Sequence, residues 1–132
     1  MIAHSLSLGA FHAANIAFRH PHLFRKFCAF SGRYDLTENI ECFGNRLDGY
    51  YDDTNYFHTP THFLPQLDCE LQLLRLRQMD RFFTVGKDDP FLENNLQLSR
   101  ILWSKGIWHA LHQWQRRAHR GRYWRQMAQL YL

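Results

Sequence analysis

Near the amino terminus, Ser5-Leu6-Ser7-Leu8-Gly9 separates a short apolar lead from the helical run Ala10-Phe11-His12-Ala13-Ala14-Asn15-Ile16-Ala17-Phe18. A serine between small residues at a strand-to-helix junction constrains the fold more than any other stretch. Such a turn is tight and strained, so the flanking positions must let neighbouring backbone pass close by. The helix that follows offers free N–H groups and a partial positive charge to developing negative charge. The spacing fits an activated serine in the pattern G-x-S-x-G, with Ser5 in place of the first glycine. The same string also suits an ordinary helix N-cap. Partners elsewhere in the chain separate the two readings.

The remaining elements follow in an alternating order. Met1 to Leu6 reads as the stub of a strand, and Ala10 to Arg19 as a helix with Phe11, Ala14, Ile16, Ala17 and Phe18 at helical spacing. His20-Pro21 stops it, because the residue before proline is pushed out of helical geometry. Phe27-Cys28-Ala29-Phe30 then reads as a buried strand ending at Ser31-Gly32. Strand, helix and strand over this length form a βαβ unit and imply a parallel pair. Residues 34–67, rich in Asn, Asp and aromatics with Pro60 and Pro65, read as an excursion of short helices and turns that caps a pocket. Tyr50, Tyr51, Tyr56, Phe57 and Phe63 either line an acyl pocket there or form the core of the excursion.

Cys69 to Met79 is expected to be helical, with Leu71, Leu74 and Leu76 on its apolar face and Arg75 and Arg77 outside. Arg81 to Val85 reads as a strand stopped by Gly86. Leu92 to Lys105 reads as a helix with apolar Leu96, Leu98, Ile101, Leu102 and Trp103, closed by Gly106. Trp108 to Trp114 alternates as a strand does, and Tyr123 to Leu130 forms a last helix. The fold class is therefore α/β: a three-layer sandwich around a short, mostly parallel sheet, with residues 1–132 as a single domain.

Composition narrows the function classes. A chain of 132 residues with 45% hydrophobic content packs as a globule, burying about two-thirds of its unfolded surface. Cys28, Cys42 and Cys69 are odd in number and widely spaced, which points away from a disulfide framework or zinc site and toward a reducing compartment. No apolar run reaches the roughly 18 residues of a membrane span, and no signal peptide is recognisable. A cytoplasmic location without membrane contact is the expectation. The formal charge of +4 is concentrated late, at Arg116, Arg117, Arg120, Arg122 and Arg125. A basic stripe grips phosphates in some proteins. Here Arg122 and Arg125 lie one turn apart beside Tyr123, Trp124 and Met127, as on a solvated helix face. Nucleic acid is not the expected partner.

In an open parallel sheet, functional groups gather at the carboxyl ends of the strands. After Val85 comes Gly86-Lys87-Asp88-Asp89-Pro90-Phe91-Leu92, and after Trp114 comes Gln115-Arg116-Arg117-Ala118-His119-Arg120-Gly121. Ser7, Asp89 and His119 thus fall at one edge, in the order Ser…Asp…His. A serine hydroxyl attacks only once a base removes its proton, and histidine titrates near neutral pH. A carboxylate fixes the imidazole tautomer and stabilises the imidazolium. Asp89 alternatively caps the helix begun near Pro90, Asp88 is an alternative acid pointing elsewhere, and His119 alternatively is one of nine histidines on the surface.

Three stretches carry a family resemblance. Ser7-Leu8-Gly9-Ala10 into a helix, then Arg19-His20-Pro21-His22-Leu23-Phe24, then Phe30-Ser31-Gly32-Arg33-Tyr34-Asp35 resemble the esterase family of α/β hydrolases that includes S-formylglutathione hydrolase (esterase D-type) and feruloyl and acyl esterases. Gly86 to Leu92 is similar to that family's G-x-x-D-x-F-L segment, whose aspartate falls on Asp89. Ala118-His119-Arg120-Gly121-Arg122-Tyr123-Trp124 is similar to its histidine segment. The resemblance implies catalytic Ser7, Asp89 and His119, an oxyanion donor in the Leu8 backbone N–H, and a small-molecule ester as substrate. It covers nearly the whole chain, yet the family has several strands before its serine, and here only four residues precede Ser5. The expectation is a C-terminal half of such a hydrolase, without the loop that gives the second oxyanion donor. Its activity is expected to be weak or absent, and its unpaired sheet edge to support a homo-oligomer.

Other chemistry fits the residues less well. His58 and His62 have helical ligand spacing, but Pro60 lies between them, and His109 and His112 would face opposite sides of a strand. No metal and no cofactor are expected. Cys28 reads as a packed strand residue rather than a nucleophile. The alternatives to a serine esterase are a non-catalytic hydrolase remnant or assembly module and, behind it, a basic nucleic-acid-binding domain.

Overall fold

The computed structural model of the protein describes residues 1–41, 44 and 52–132; Cys42, Tyr50 and Tyr51 lie outside them. Four strands, β1 (Ile2–Leu6), β2 (Lys26–Phe30), β3 (Asp80–Gly86) and β4 (Ala110–Trp114), form one sheet in the order β1-β2-β3-β4. Every pairing is parallel, with Leu6 opposite Phe30, Phe30 opposite Thr84 and Thr84 opposite His112. All four carboxyl ends therefore share one edge. Among the described residues β1 and β4 are the sheet's outer strands.

The strand order explains the layering. Each connection steps to the next strand in the same direction, and right-handed crossovers then place the connecting helices on one face. That face holds α1 (Gly9–Arg19), α4 (Glu70–Gln78) and α5 (Leu92–Ser104), which bury Ala10, Ala14, Leu73, Leu76, Leu98 and Leu102 against Phe27, Ala29 and Phe83. The opposite face, carrying Cys28, Phe30 and Phe82, is covered by α6 (Gly121–Tyr131) through Met127, Tyr123 and Trp124. Alternation along each strand feeds both cores, as period-2 geometry requires. The three-layer α/β arrangement expected from the sequence is the one observed.

Helix α1 forms because Ala10, Phe11, Ala14, Ala17 and Phe18 recur at helical spacing, and its alanines are small enough to lie close on the sheet. It ends at His20, with Pro21 opening a 3-10 turn over Pro21–Leu23. Within 34–67, the described part contains α2 (Asp53–Phe57) and α3 (Pro60–Phe63). Asp52 caps α2 by accepting from the Asn55 N–H at 3.0 Å. Phe63 and Leu64 are buried in the same core as α1 and α5, Tyr56 packs against it, and Phe57 is exposed.

Three expectations are corrected in detail. On α4, Leu73 and Leu76 are buried, whereas Leu71 and Leu74 are exposed. Leucines at 71, 73, 74 and 76 point almost all round a helix, so spacing alone does not select a face. On α5, Trp103 is exposed, and the buried positions include Asn94 and Asn95. Their amides bind the segment after β2: Asn94 Oδ1 accepts from the Tyr34 and Asp35 N–H groups, and Asn95 Nδ2 donates to Gly32 O at 2.8 Å. Strand β4 begins at Ala110 rather than Trp108. The Trp108 carbonyl instead accepts from Arg81 Nε at 2.7 Å, which takes it out of the ladder.

Candidate active site

Ser7 follows β1 directly and stands in the left-handed region at φ 49°. A non-glycine residue there stores about 1–3 kcal/mol of strain, held in place by the surroundings. Its N–H donates to Phe30 O at 3.0 Å, and its carbonyl accepts from Ala10 at 3.1 Å and Arg33 at 3.3 Å. The backbone is thereby pinned between β1, β2 and the first turn of α1. A Cβ on Gly9 would come within 2.2 Å of Ser5 Oγ, so the close pass that small residues permit at this elbow is present. Leu8 precedes the helix, and among the described residues no backbone acceptor is found for its N–H.

Asp89 sits three residues beyond β3, and its side chain is fully buried. The backbone N–H of Phe91 donates to one carboxylate oxygen, Oδ1, at 2.9 Å. The other, Oδ2, meets His119 Nδ1 at 2.9 Å. Helix α5 has Phe91 at its N-cap position and no side-chain cap, so Asp89 does not cap it; Oδ1 closes the turn before the helix, and Oδ2 is left to the histidine. Asp88, the alternative acid, is exposed, and its N–H donates to Arg116 O at 2.9 Å.

His119 belongs to the loop between β4 and α6, where Arg116 and Ala118 also have positive φ, 61° and 50°. The loop is stitched to the end of β3: the Lys87 N–H donates to Trp114 O at 2.8 Å. Gly86 lets the two segments touch, since a Cβ there would lie 2.1 Å from Arg117 O. The imidazole is mostly buried and reaches Ser7 Oγ with Nε2 at 3.0 Å. Its ring lies 5.2 Å from that of Trp124 and 6.0 Å from that of Phe91. The three residues singled out from the sequence, up to 112 positions apart, are therefore in one hydrogen-bonded line.

The donors in this line can be ordered. An ionised carboxylate only accepts, so Nδ1–H donates to Asp89, leaving Nε2 to accept from the Ser7 hydroxyl. A base is thus aimed at a hydroxyl that stands at a strained turn before a helix, which is an arrangement able to perform nucleophilic chemistry. Cys28 is a poor competitor, because burial pushes its thiol up to about 11 despite the opposing pull of Lys26. His58 Nδ1 lies 2.7 Å from Thr54 O, and His62 pairs with Asp35 at 2.9 Å.

Sequence reasoning does not single out Ser31 or Trp124 at this site. Ser31 follows β2 at the same edge as Ser7, with φ 53° and no exposure, and its Oγ accepts from Trp124 Nε1 at 3.2 Å. A signal for Ser31 exists, since every residue after a parallel strand ends at that edge. Trp124 reads from spacing as part of the apolar stripe of α6, where it also packs.

No protein-family model and no curated protein sequence matches the chain. Among solved structures, a ferulic acid esterase aligns over 97% of the chain at 21% identity and a TM-score of 0.69. The fluorophosphonate-binding serine hydrolase F of Staphylococcus aureus aligns over 98% at 16% identity and a TM-score of 0.74. The S-formylglutathione hydrolase of the same organism aligns over 98% at 16% identity and 0.69. The chain covers 46%, 51% and 48% of these three chains respectively. In fold, this protein is similar to the esterase-type α/β hydrolases, and it spans about half their length.

Proposed function

We propose that this protein is a serine esterase that hydrolyses small-molecule carboxylic esters through an acyl-enzyme. The observation that carries the reading is His119 Nε2 at 3.0 Å from Ser7 Oγ, with Nδ1 at 2.9 Å from Asp89. His119 takes the hydroxyl proton as Ser7 Oγ attacks the ester carbonyl, and the Leu8 N–H donates to the oxyanion. His119 then passes the proton to the departing alcohol. In the second half it takes a proton from water, which attacks the acyl carbon, and returns that proton to Ser7 Oγ as the acyl–oxygen bond breaks and the acid leaves. Structural neighbours named as an esterase, a serine hydrolase and an S-formylglutathione hydrolase support the same chemistry. The free thiols of Cys28 and Cys69 fit a reducing, cytoplasmic setting.

Hydrolysis of p-nitrophenyl acetate by the chain, by Ser7→Ala and by His119→Ala tests this. Ser7-dependent and His119-dependent release of nitrophenolate is expected, and equal rates in all three refute it. That outcome would favour a non-catalytic assembly module. One observation speaks for such a role: β1 is an outer strand, beside a groove of about 450 Å³ lined by His4, Leu6, Trp124, Arg125 and Ala128. Strand pairing there builds a homo-oligomer, which sedimentation as a function of concentration detects.

A further inference from the structure

We infer that Trp124, fixed by Ser31, is a positioning residue that holds the His119 imidazole in line between Ser7 and Asp89; this rests on the esterase reading above. The need for such a residue follows from where His119 stands. It lies in a loop that belongs to neither β4 nor α6, and histidine χ2 is a broad torsion that the backbone does not set. Two hydrogen bonds fix the direction in which the ring points, at 2.9 Å and 3.0 Å. They resist twisting of the ring about the line joining its two nitrogens much less. Groups packed against the ring resist that twist, and two are present: Trp124 at 5.2 Å, inclined by 67°, and Phe91 at 6.0 Å, inclined by 50°.

Phe91 is secured through its own backbone, which donates to Asp89. Trp124 needs a separate anchor, and Ser31 provides it. The indole Nε1–H donates to Ser31 Oγ at 3.2 Å across 93 residues of chain. Ser31 is fully buried, and its own N–H donates to Thr84 O at 2.7 Å. A serine held buried at φ 53° is an unfavourable choice of residue unless its hydroxyl has a task. Accepting the indole proton is that task, because half-buried Trp124 turns its Nε1–H inward to fully buried Ser31, where a donor without a partner is costly.

The test uses Trp124→Leu, Trp124→Phe and Ser31→Ala in the full chain, checked for folding by circular dichroism. The first readout is the NMR order parameter of the His119 ring C–H bonds, which reports ring motion without requiring turnover. In the parent chain a rigid ring is expected. Ser31→Ala and Trp124→Phe, which both lose the anchoring bond and keep an aromatic ring, should lower the order parameter to a similar extent, and Trp124→Leu should lower it most. The second readout is kinetic. A displacement of about 1 Å costs about 100-fold, so Trp124→Leu should lower kcat by 10- to 100-fold with KM within about twofold, and Trp124→Phe should recover part of it. An unchanged order parameter in both Ser31→Ala and Trp124→Leu overturns the inference, as does a loss carried wholly in KM. If the parent chain shows no Ser7-dependent turnover, the esterase reading has failed, while the relaxation result still decides the positioning role. Should Trp124→Leu fail to fold, Ser31→Ala, which removes one hydroxyl, decides the matter alone.

Discussion

Replacing Asp89 by asparagine tests the site through a single proton. The carboxylate accepts at both oxygens, from the Phe91 N–H at 2.9 Å and from His119 Nδ1–H at 2.9 Å. Asparagine has one accepting oxygen and one donating amide. If the oxygen keeps the Phe91 N–H, the amide faces Nδ1 and forces the imidazole proton onto Nε2. Nε2 then cannot accept from Ser7, and kcat should fall by about 10,000-fold, equivalent to about 5.5 kcal/mol in the barrier. Stability should change by less than about 1 kcal/mol, because both contacts survive as hydrogen bonds. If the amide instead turns toward Phe91, activity is partly kept but a buried N–H loses its acceptor, at about 1–3 kcal/mol. Turnover of p-nitrophenyl acetate and a thermal melt, measured together, separate the two outcomes. Activity within tenfold of the parent at an unchanged melting temperature would refute the reasoning, since one side of the carboxylate must suffer.

Other predictions rest on independent contacts. Gly86→Ala places a Cβ 2.1 Å from Arg117 O and 2.4 Å from Arg116 O; overpacking of about 1–3 kcal/mol and a shifted His119 loop should lower kcat by about 100-fold, read by melting temperature and turnover. Arg81 is almost fully buried, and its guanidinium donates to Leu76 O and twice to Trp108 O. Arg81→Met leaves those carbonyls without donors, and a urea titration should show a loss of about 2–4 kcal/mol. Acid should destabilise the fold in two windows. Burial lowers His109, so its contribution is present above the usual 6.5 and fades as the pH falls below it, when the unfolded chain takes up the proton first. Burial raises Asp35, but hydrogen bonds from His62 and Thr37 outweigh it and bring the carboxyl from 3.8 to about 2. Its contribution of about 2 kcal/mol is complete above 3.8 and is lost as the pH falls toward 2. Melting temperatures measured from pH 8 to pH 2 should fall in both windows, and Asp35→Asn should abolish the second.

The order of the elements, and the edge on which the site lies, are legible in the residues before any contact is known. Helical spacing in α1 and α5, the stop at His20-Pro21 and the glycines at 86 and 106 are local signals, set by interactions within a few residues. Parallel pairing then follows from crossovers of helical length, and it sends Ser7, Asp89 and His119 to a common edge. What those residues touch emerges only from the packed fold. That Asp89 rather than Asp88 meets the imidazole depends on one turn of backbone after β3, and its two oxygens divide between the Phe91 N–H and the histidine only once α5 has docked. Buried Asn94 and Asn95, the choice of Leu73 and Leu76 over Leu71 and Leu74, and the Ser31–Trp124 bond across 93 residues follow no periodicity. Such contacts arise where distant surfaces meet, and the free energy that selects them comes from packing and from satisfying buried polar groups rather than from local propensity.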